Sequence, residues 1–333
     1  MRKIGILLIN TGTPETPTYL GVRRYLSQFL SDPRVIDISF IARFLLLQFI
    51  ILPFRSKKSA EAYQKIWTKE GSPLLVYSLS FKNELQKQLG EAFHVVLGMR
   101  YGKPSIEQAL KELKHCTEII LFPLFPQYAS SSTGSALEEV YKHIGTQWNI
   151  PNLKSIAPFY KDQFYLKALS KHMQVQLGKL DWDHLVFSFH GLPQHHIEKS
   201  GCRSTCALKA CQNLKESPYC YRAQCFENVR LLAGNLNLDS SKYSVAFQSR
   251  LGRRPWIKPY FDEELPLLLQ KGIKKVAVIC PSFVADCLET LEEIQIRARE
   301  SWRALGGEEL YLIPCLNDDE AWVKACAENI RAI

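Results

Sequence analysis

Short runs of aliphatic, β-branched and aromatic residues recur along this chain, and each gives way to a polar or proline-containing tail before helical periodicity begins. A strand buried on both faces reads as a continuous apolar run, and helical stretches between such runs act as crossovers. The pattern therefore predicts an α/β chain with mostly parallel strands. The runs fall at residues 3–9, 95–99 and 119–122 in the first half, and at 185–189, 245–247, 276–279 and 310–313 in the second. One plan is used twice.

The tails are more informative than the runs. They read Asn10-Thr11-Gly12-Thr13-Pro14, Arg100-Tyr101-Gly102, Pro123 to Tyr128, His190-Gly191-Leu192-Pro193, Gln248-Ser249-Arg250, Pro281-Ser282-Phe283 and Pro314-Cys315-Leu316-Asn317. In open α/β sheets ligands bind beyond the carboxyl ends of strands, so these tails are the expected lining of a cleft between two similar domains. Neither GxGxxG nor GxxxxGK[ST] follows any run, which argues against a dinucleotide or ATP enzyme.

A net charge of +9 suits an anionic partner, but no basic run is interleaved with aromatics in the way that grips nucleic acid. The expected partner is an anionic small molecule or lipid surface, with no nucleic acid. Only six apolar-type residues, 4–9, precede Asn10, too few for a signal peptide. A cytoplasmic location is expected, with the ten cysteines reduced. The most apolar segment, Phe44 to Phe54, is shorter than the roughly 20 residues of a bilayer crossing. Arg55, Lys57 and Lys58 follow it at once, so residues 44–58 read either as a peripheral contact at the inner face of a membrane or as a buried helix.

His190 closes the run Leu185-Val186-Phe187-Ser188-Phe189 and precedes a Gly-Leu-Pro turn. An imidazole beside a core strand is commonly a hydrogen-bonded structural residue, so company has to decide its role. The company is Asp286-Cys287-Leu288-Glu289-Thr290-Leu291-Glu292-Glu293, where Glu289 and Glu293 are spaced to share one helix face. Two such carboxylates can pass protons or hold a hard cation, whereas Asp286 and Glu289 also have the spacing of a helix cap. Arg100, Tyr101, Tyr128, Trp256 and Phe283 crowd the same tails, and flat rings with a few cations suit a large planar ligand bearing carboxylates.

Between Ser200 and Phe226 lie five of the ten cysteines: Cys202, Cys206, Cys211, Cys220 and Cys225. Thiols gathered in one cytosolic segment point to zinc or an iron–sulfur cluster, and the lack of CxxC pairs tilts towards the cluster. Either centre takes four, which leaves one spare.

These segments, together with Phe29-Leu30-Ser31-Asp32-Pro33 and Gly71-Ser72-Pro73-Leu74, resemble the ferrochelatase family from residue 4 to about residue 325, and His190-Gly191-Leu192-Pro193 is its signature. The resemblance implies two Rossmann-like, chelatase-type domains with parallel sheets and an interdomain cleft. The boundaries expected are 1–150, joined by a C-terminal helix at 319–333, and 151–318 with a cysteine-rich insertion at 201–225. It implies insertion of Fe2+ into protoporphyrin IX to give protohaem, by a monomer or homodimer. His190, Glu289 and Glu293 are then the catalytic residues, with His190 and Glu289 meeting the iron, Asp286 continuing the acidic line, and Arg100, Tyr101, Tyr128 and Trp256 holding the macrocycle. A non-catalytic haem or porphyrin carrier, or a chelatase for another metal or tetrapyrrole, is the alternative.

The chain departs from the family pattern twice. Cys287 stands where many members have histidine, and the cysteine insertion is absent from most members. Some bacterial ferrochelatases hold a [2Fe-2S] cluster in such a segment, and the resemblance implies one here. Cys225 falls where members without a cluster also often have cysteine, so Cys202, Cys206, Cys211 and Cys220 are the expected ligands.

Overall fold

The computed structural model describes residues 3–202, 218–252 and 254–333. They form two compact units: one runs to Phe125 and adds Ser130–Pro158 and Asp318–Ile333, and the other comprises Pro126–Ala129 and Phe159–Asn317.

The first unit is built on β1 (Ile4–Gly12), β2 (Phe93–Tyr101), β3 (Glu118–Pro123) and β4 (Asn152–Ser155). All pair in parallel, in the order β2-β1-β3-β4. The second unit repeats this with β5 (His184–His190), β6 (Tyr243–Gln248), β7 (Lys275–Ile279) and β8 (Glu309–Leu312), ordered β6-β5-β7-β8 and again parallel. In both, the first strand in sequence is an inner one, and Ile6 to Ile9 and Leu185 to Phe187 are wholly buried, as continuous apolar runs require. Every run read from the sequence is a strand. β4 escaped that reading because Asn-Leu-Lys-Ser contains no apolar run. It lies at the sheet edge and buries none of its residues fully.

The helix Glu320–Arg331 belongs to the first unit, capped by Asp319, whose carboxylate accepts from the N–H groups of Ala321 and Trp322. Its Trp322 stacks on Phe81 of the helix Pro73–Leu89 with ring centroids 5.9 Å apart.

Residues 40–66 form one helical stretch, α-helical over Phe40–Leu46, π-helical over Leu47–Ile51 and α-helical over Leu52–Ile66. The sequence left open whether its apolar segment is core or surface. Leu47 and Leu52 are buried, but Phe40, Ile41, Phe44, Phe49, Ile50 and Phe54 are exposed, Phe54 by 74%. Among the described residues no helix is long and apolar enough to cross a membrane.

Candidate active site

His190 is the last residue of β5, and its sheet neighbour in register is Gln248, the last of β6. Beyond that point the Gly191 N–H still donates to the Gln248 carbonyl at 2.8 Å, so the chain leaves the sheet in a fixed direction. The imidazole Nδ1 lies 2.6 Å from the carbonyl oxygen of Gly191. A carbonyl only accepts, so Nδ1 carries a hydrogen, and in the neutral ring the lone pair is on Nε2. The His190 main chain is held on both sides, its carbonyl accepting from the Tyr221 hydroxyl at 2.9 Å and its N–H donating to Ser282 Oγ at 3.3 Å. Trp256 and Phe283 flank the ring, with centroids 6.5 Å and 6.3 Å away.

The acidic segment starts one residue later than its spacing suggested. Cys287 is the N-cap, its N–H received by Thr290 Oγ1, and the helix runs α over Leu288–Thr290, then π over Leu291–Ala298, then α over Arg299–Ala304. Wide π turns occur disproportionately at functional sites. Asp286 is spent on structure: its carboxylate accepts from Thr290 Oγ1, the Cys315 N–H and Asn317 Nδ2, and it is only 3% exposed. Glu292 is buried and paired with Arg297 at 2.8 Å. Glu289 and Glu293 are left half-buried. Burial raises the pKa of the Cys280 thiol, just beyond β7, and the charges of Asp286, Glu293 and Glu289 add to that effect. Burial first, and Glu289 second, keep the Cys287 thiol protonated as well.

Tyr128 sits in the second unit with its N–H on Gln224 Oε1 and its ring 5.0 Å from that of Tyr219. Trp256 is fixed by its indole N–H on the Leu251 carbonyl and by a bridge to Pro193. Arg100 and Tyr101 end β2 in the first unit. Arg100 binds Ser135 through Nε, Asp32 at 3.0 Å and Glu139 at 3.4 Å, while the Tyr101 hydroxyl donates to Asp32 at 2.8 Å. Burial, followed by the Asp32 charge, holds that phenol well above its ordinary range.

Of the expected cluster ligands, Cys202 and Cys220 are buried, and Cys206 and Cys211 lie outside the described residues. Cys220 caps the helix Tyr221–Asn235, and the wholly buried Cys225 on that helix hydrogen-bonds Tyr221. The sequence reading missed Tyr221 and Gln224. Both lie within the cysteine-rich stretch, on the helix that begins there, and no apolar period marks which face supports the site.

The ferrochelatase family profile matches residues 3–332. A ferrochelatase from Legionella pneumophila is 51% identical over 321 residues, 96% of this chain and of the relative. One from Coxiella burnetii is 52% identical over 334 residues, 99% of this chain and 93% of the relative. Among solved structures, SirB from Bacillus subtilis with Fe3+ has a TM-score of 0.52 at 13% identity, covering 99% of this chain and 94% of that one. DR2241 from Deinococcus radiodurans has 0.51 at 10%, covering 98% and 55%. At these identities the structural likeness is one of fold.

Proposed function

The chain belongs to the ferrochelatase family, and on that premise we propose the residues that carry its reaction, the insertion of ferrous iron into protoporphyrin IX to give protohaem. The flat macrocycle hides two pyrrole N–H groups in its plane, and bending it turns nitrogen lone pairs towards the metal. Holding such a distortion, of order 1–5 kcal/mol, needs rigid walls. Trp256 and Tyr128, each fixed by hydrogen bonds, supply them, with Phe283 beside the histidine. On the first unit, Arg100 and the buried Tyr101, the remaining residues that the family pattern assigns to the macrocycle, are held by Asp32 and Ser135.

Two N–H bonds break as iron binds, so two protons need acceptors. His190 Nε2 takes one, and a base so placed contributes about 10²–10⁴ in rate. Glu289 meets the incoming Fe2+ and takes the second, with Glu293 continuing the acidic line. The observation that carries this reading is the Nδ1–H bond to Gly191, which presents Nε2 as the base.

The test is an anaerobic assay with ferrous iron and protoporphyrin IX, following loss of free-porphyrin fluorescence, with His190→Ala in parallel. Rapid loss in the parent and none in the variant is expected. Porphyrin binding without turnover in the parent would instead indicate a carrier, and turnover only with another metal or ring a different chelatase.

The cysteine segment is assigned a [2Fe-2S] cluster held by Cys202, Cys206, Cys211 and Cys220. Soft thiols suit such a centre, and the engagement of Cys225 with Tyr221 supports its being the spare. When bound, the cluster supplies a one-electron couple. The apolar face of residues 40–54, followed by Arg55, Lys57 and Lys58, supports peripheral contact with an anionic bilayer surface.

A further inference from the structure

One residue in an unusual conformation grips both carboxylate oxygens of Glu293. Ser249 has a φ of +66°, in the left-handed region that serine rarely occupies. That turn brings both of its donors to one carboxylate: the Ser249 N–H to Glu293 Oε1 at 2.9 Å and the Ser249 hydroxyl to Oε2 at 2.5 Å. Its neighbour Gln248 works alongside. The Gln248 amide oxygen accepts from Ser188 Oγ at 2.6 Å, which turns its Nε2 to donate to the Glu289 carbonyl at 2.8 Å and to Glu293 Oε2 at 3.4 Å. The Glu289 carbonyl lies where the α turn passes into the π turn.

The geometry points to Ser249 as a positioning residue of the chelation reaction, which clamps the Glu293 carboxylate while leaving that of Glu289 to meet the metal. Strained non-glycine backbone at a site persists when the contacts it makes over-determine it, and here those contacts are the two bonds to Glu293. The inference rests on the reading of Glu293 as part of the acidic line. Ser249 touches no reacting atom and acts only through that carboxylate.

Ser249→Gly isolates the hydroxyl, because glycine adopts the same φ freely and keeps the N–H bond. Loss of one charge-assisted hydrogen bond is expected to lower kcat about tenfold. The KM for protoporphyrin IX is expected to stay within about twofold, because on this reading Ser249 acts on the carboxylate and not on the macrocycle. The decisive variant is Ser249→Gly combined with Glu293→Gln. A residue acting through Glu293 adds nothing once that carboxylate is gone, so the pair should be no slower than Glu293→Gln alone. Two multiplying effects would overturn the clamp while leaving Glu293 in its role. A Glu293→Gln enzyme as fast as the parent would overturn the role of Glu293, and the clamp with it.

Discussion

Gly191 and Gln248 meet so closely that a single methyl group would part them: the Gly191 N–H lies 2.8 Å from the Gln248 carbonyl oxygen, and a Cβ on Gly191 would lie 2.7 Å from that same oxygen. The obstacle is backbone at the end of β6, which cannot rotate away. A Cβ would also come within 3.1 Å of the Trp256 ring. Gly191→Ala is therefore expected to cost about 1–3 kcal/mol in denaturant unfolding. Because it moves the residue after His190, kcat should fall about a hundredfold, the scale of a misplacement near 1 Å. An alanine variant with parental kcat would show that the turn is not what aims the histidine.

The Tyr221 hydroxyl is shared between the His190 carbonyl and Ser282 Oγ, 2.8 Å away. Burial first, and Cys225 next, hold the phenol protonated, so it serves as a donor across the working pH range. Tyr221→Phe keeps the ring and strands that carbonyl, at about 1–3 kcal/mol of stability. Chelation should slow several-fold with no change in porphyrin affinity by fluorescence titration. Equal rates would reduce Tyr221 to packing.

How much of this was legible in the sequence follows from what each residue does locally. His190 was visible because a strand and a turn bracket it, and Glu289 and Glu293 because helical spacing puts them together. The supporting contacts were not. Ser249 is ordinary until a positive φ brings both donors to Glu293, and Tyr221 is one tyrosine among many until the fold delivers it beneath β5. Asp286 was legible as an acid near a helix start, but its role required Asn317 from the tail of β8, about thirty residues away.

The assignment of the cysteines separates Cys220 from Cys225. Cys220→Ala should abolish the visible absorbance of an iron–sulfur centre in protein purified without oxygen, and Cys206→Ala and Cys211→Ala should do the same. Cys225→Ala should keep the colour, since its thiol is committed to Tyr221. A coloured Cys220→Ala protein would move the ligand set to include Cys225.

On the first unit, Phe49 and Phe54 are 70% and 74% exposed, so neither contributes much to the core. Phe49→Ser with Phe54→Ser should leave the thermal midpoint unchanged or slightly raised. Cosedimentation with vesicles containing anionic lipid should drop about tenfold or more, given roughly 25 cal/mol for each Å² of apolar surface withdrawn from water. Undiminished cosedimentation would show that this face does not meet the bilayer.

His184 at the start of β5 gives the fold a pH dependence of definite sign. Burial, with Lys271 adding repulsion, pushes its pKa down to about 4 from an ordinary 6.5, and its Nε2 lies 3.1 Å from Ser244 Oγ. Between those two values the unfolded chain binds a proton that the folded chain refuses, so stability falls as pH is lowered through this window. The contribution is fully present above about pH 6.5, is lost progressively towards pH 4, and amounts to something of order 2 kcal/mol. Urea unfolding of the parent and of His184→Asn at steps across this window should show a steeper loss for the parent. If both lose stability in parallel, the acid sensitivity belongs to other groups and the buried imidazole is silent.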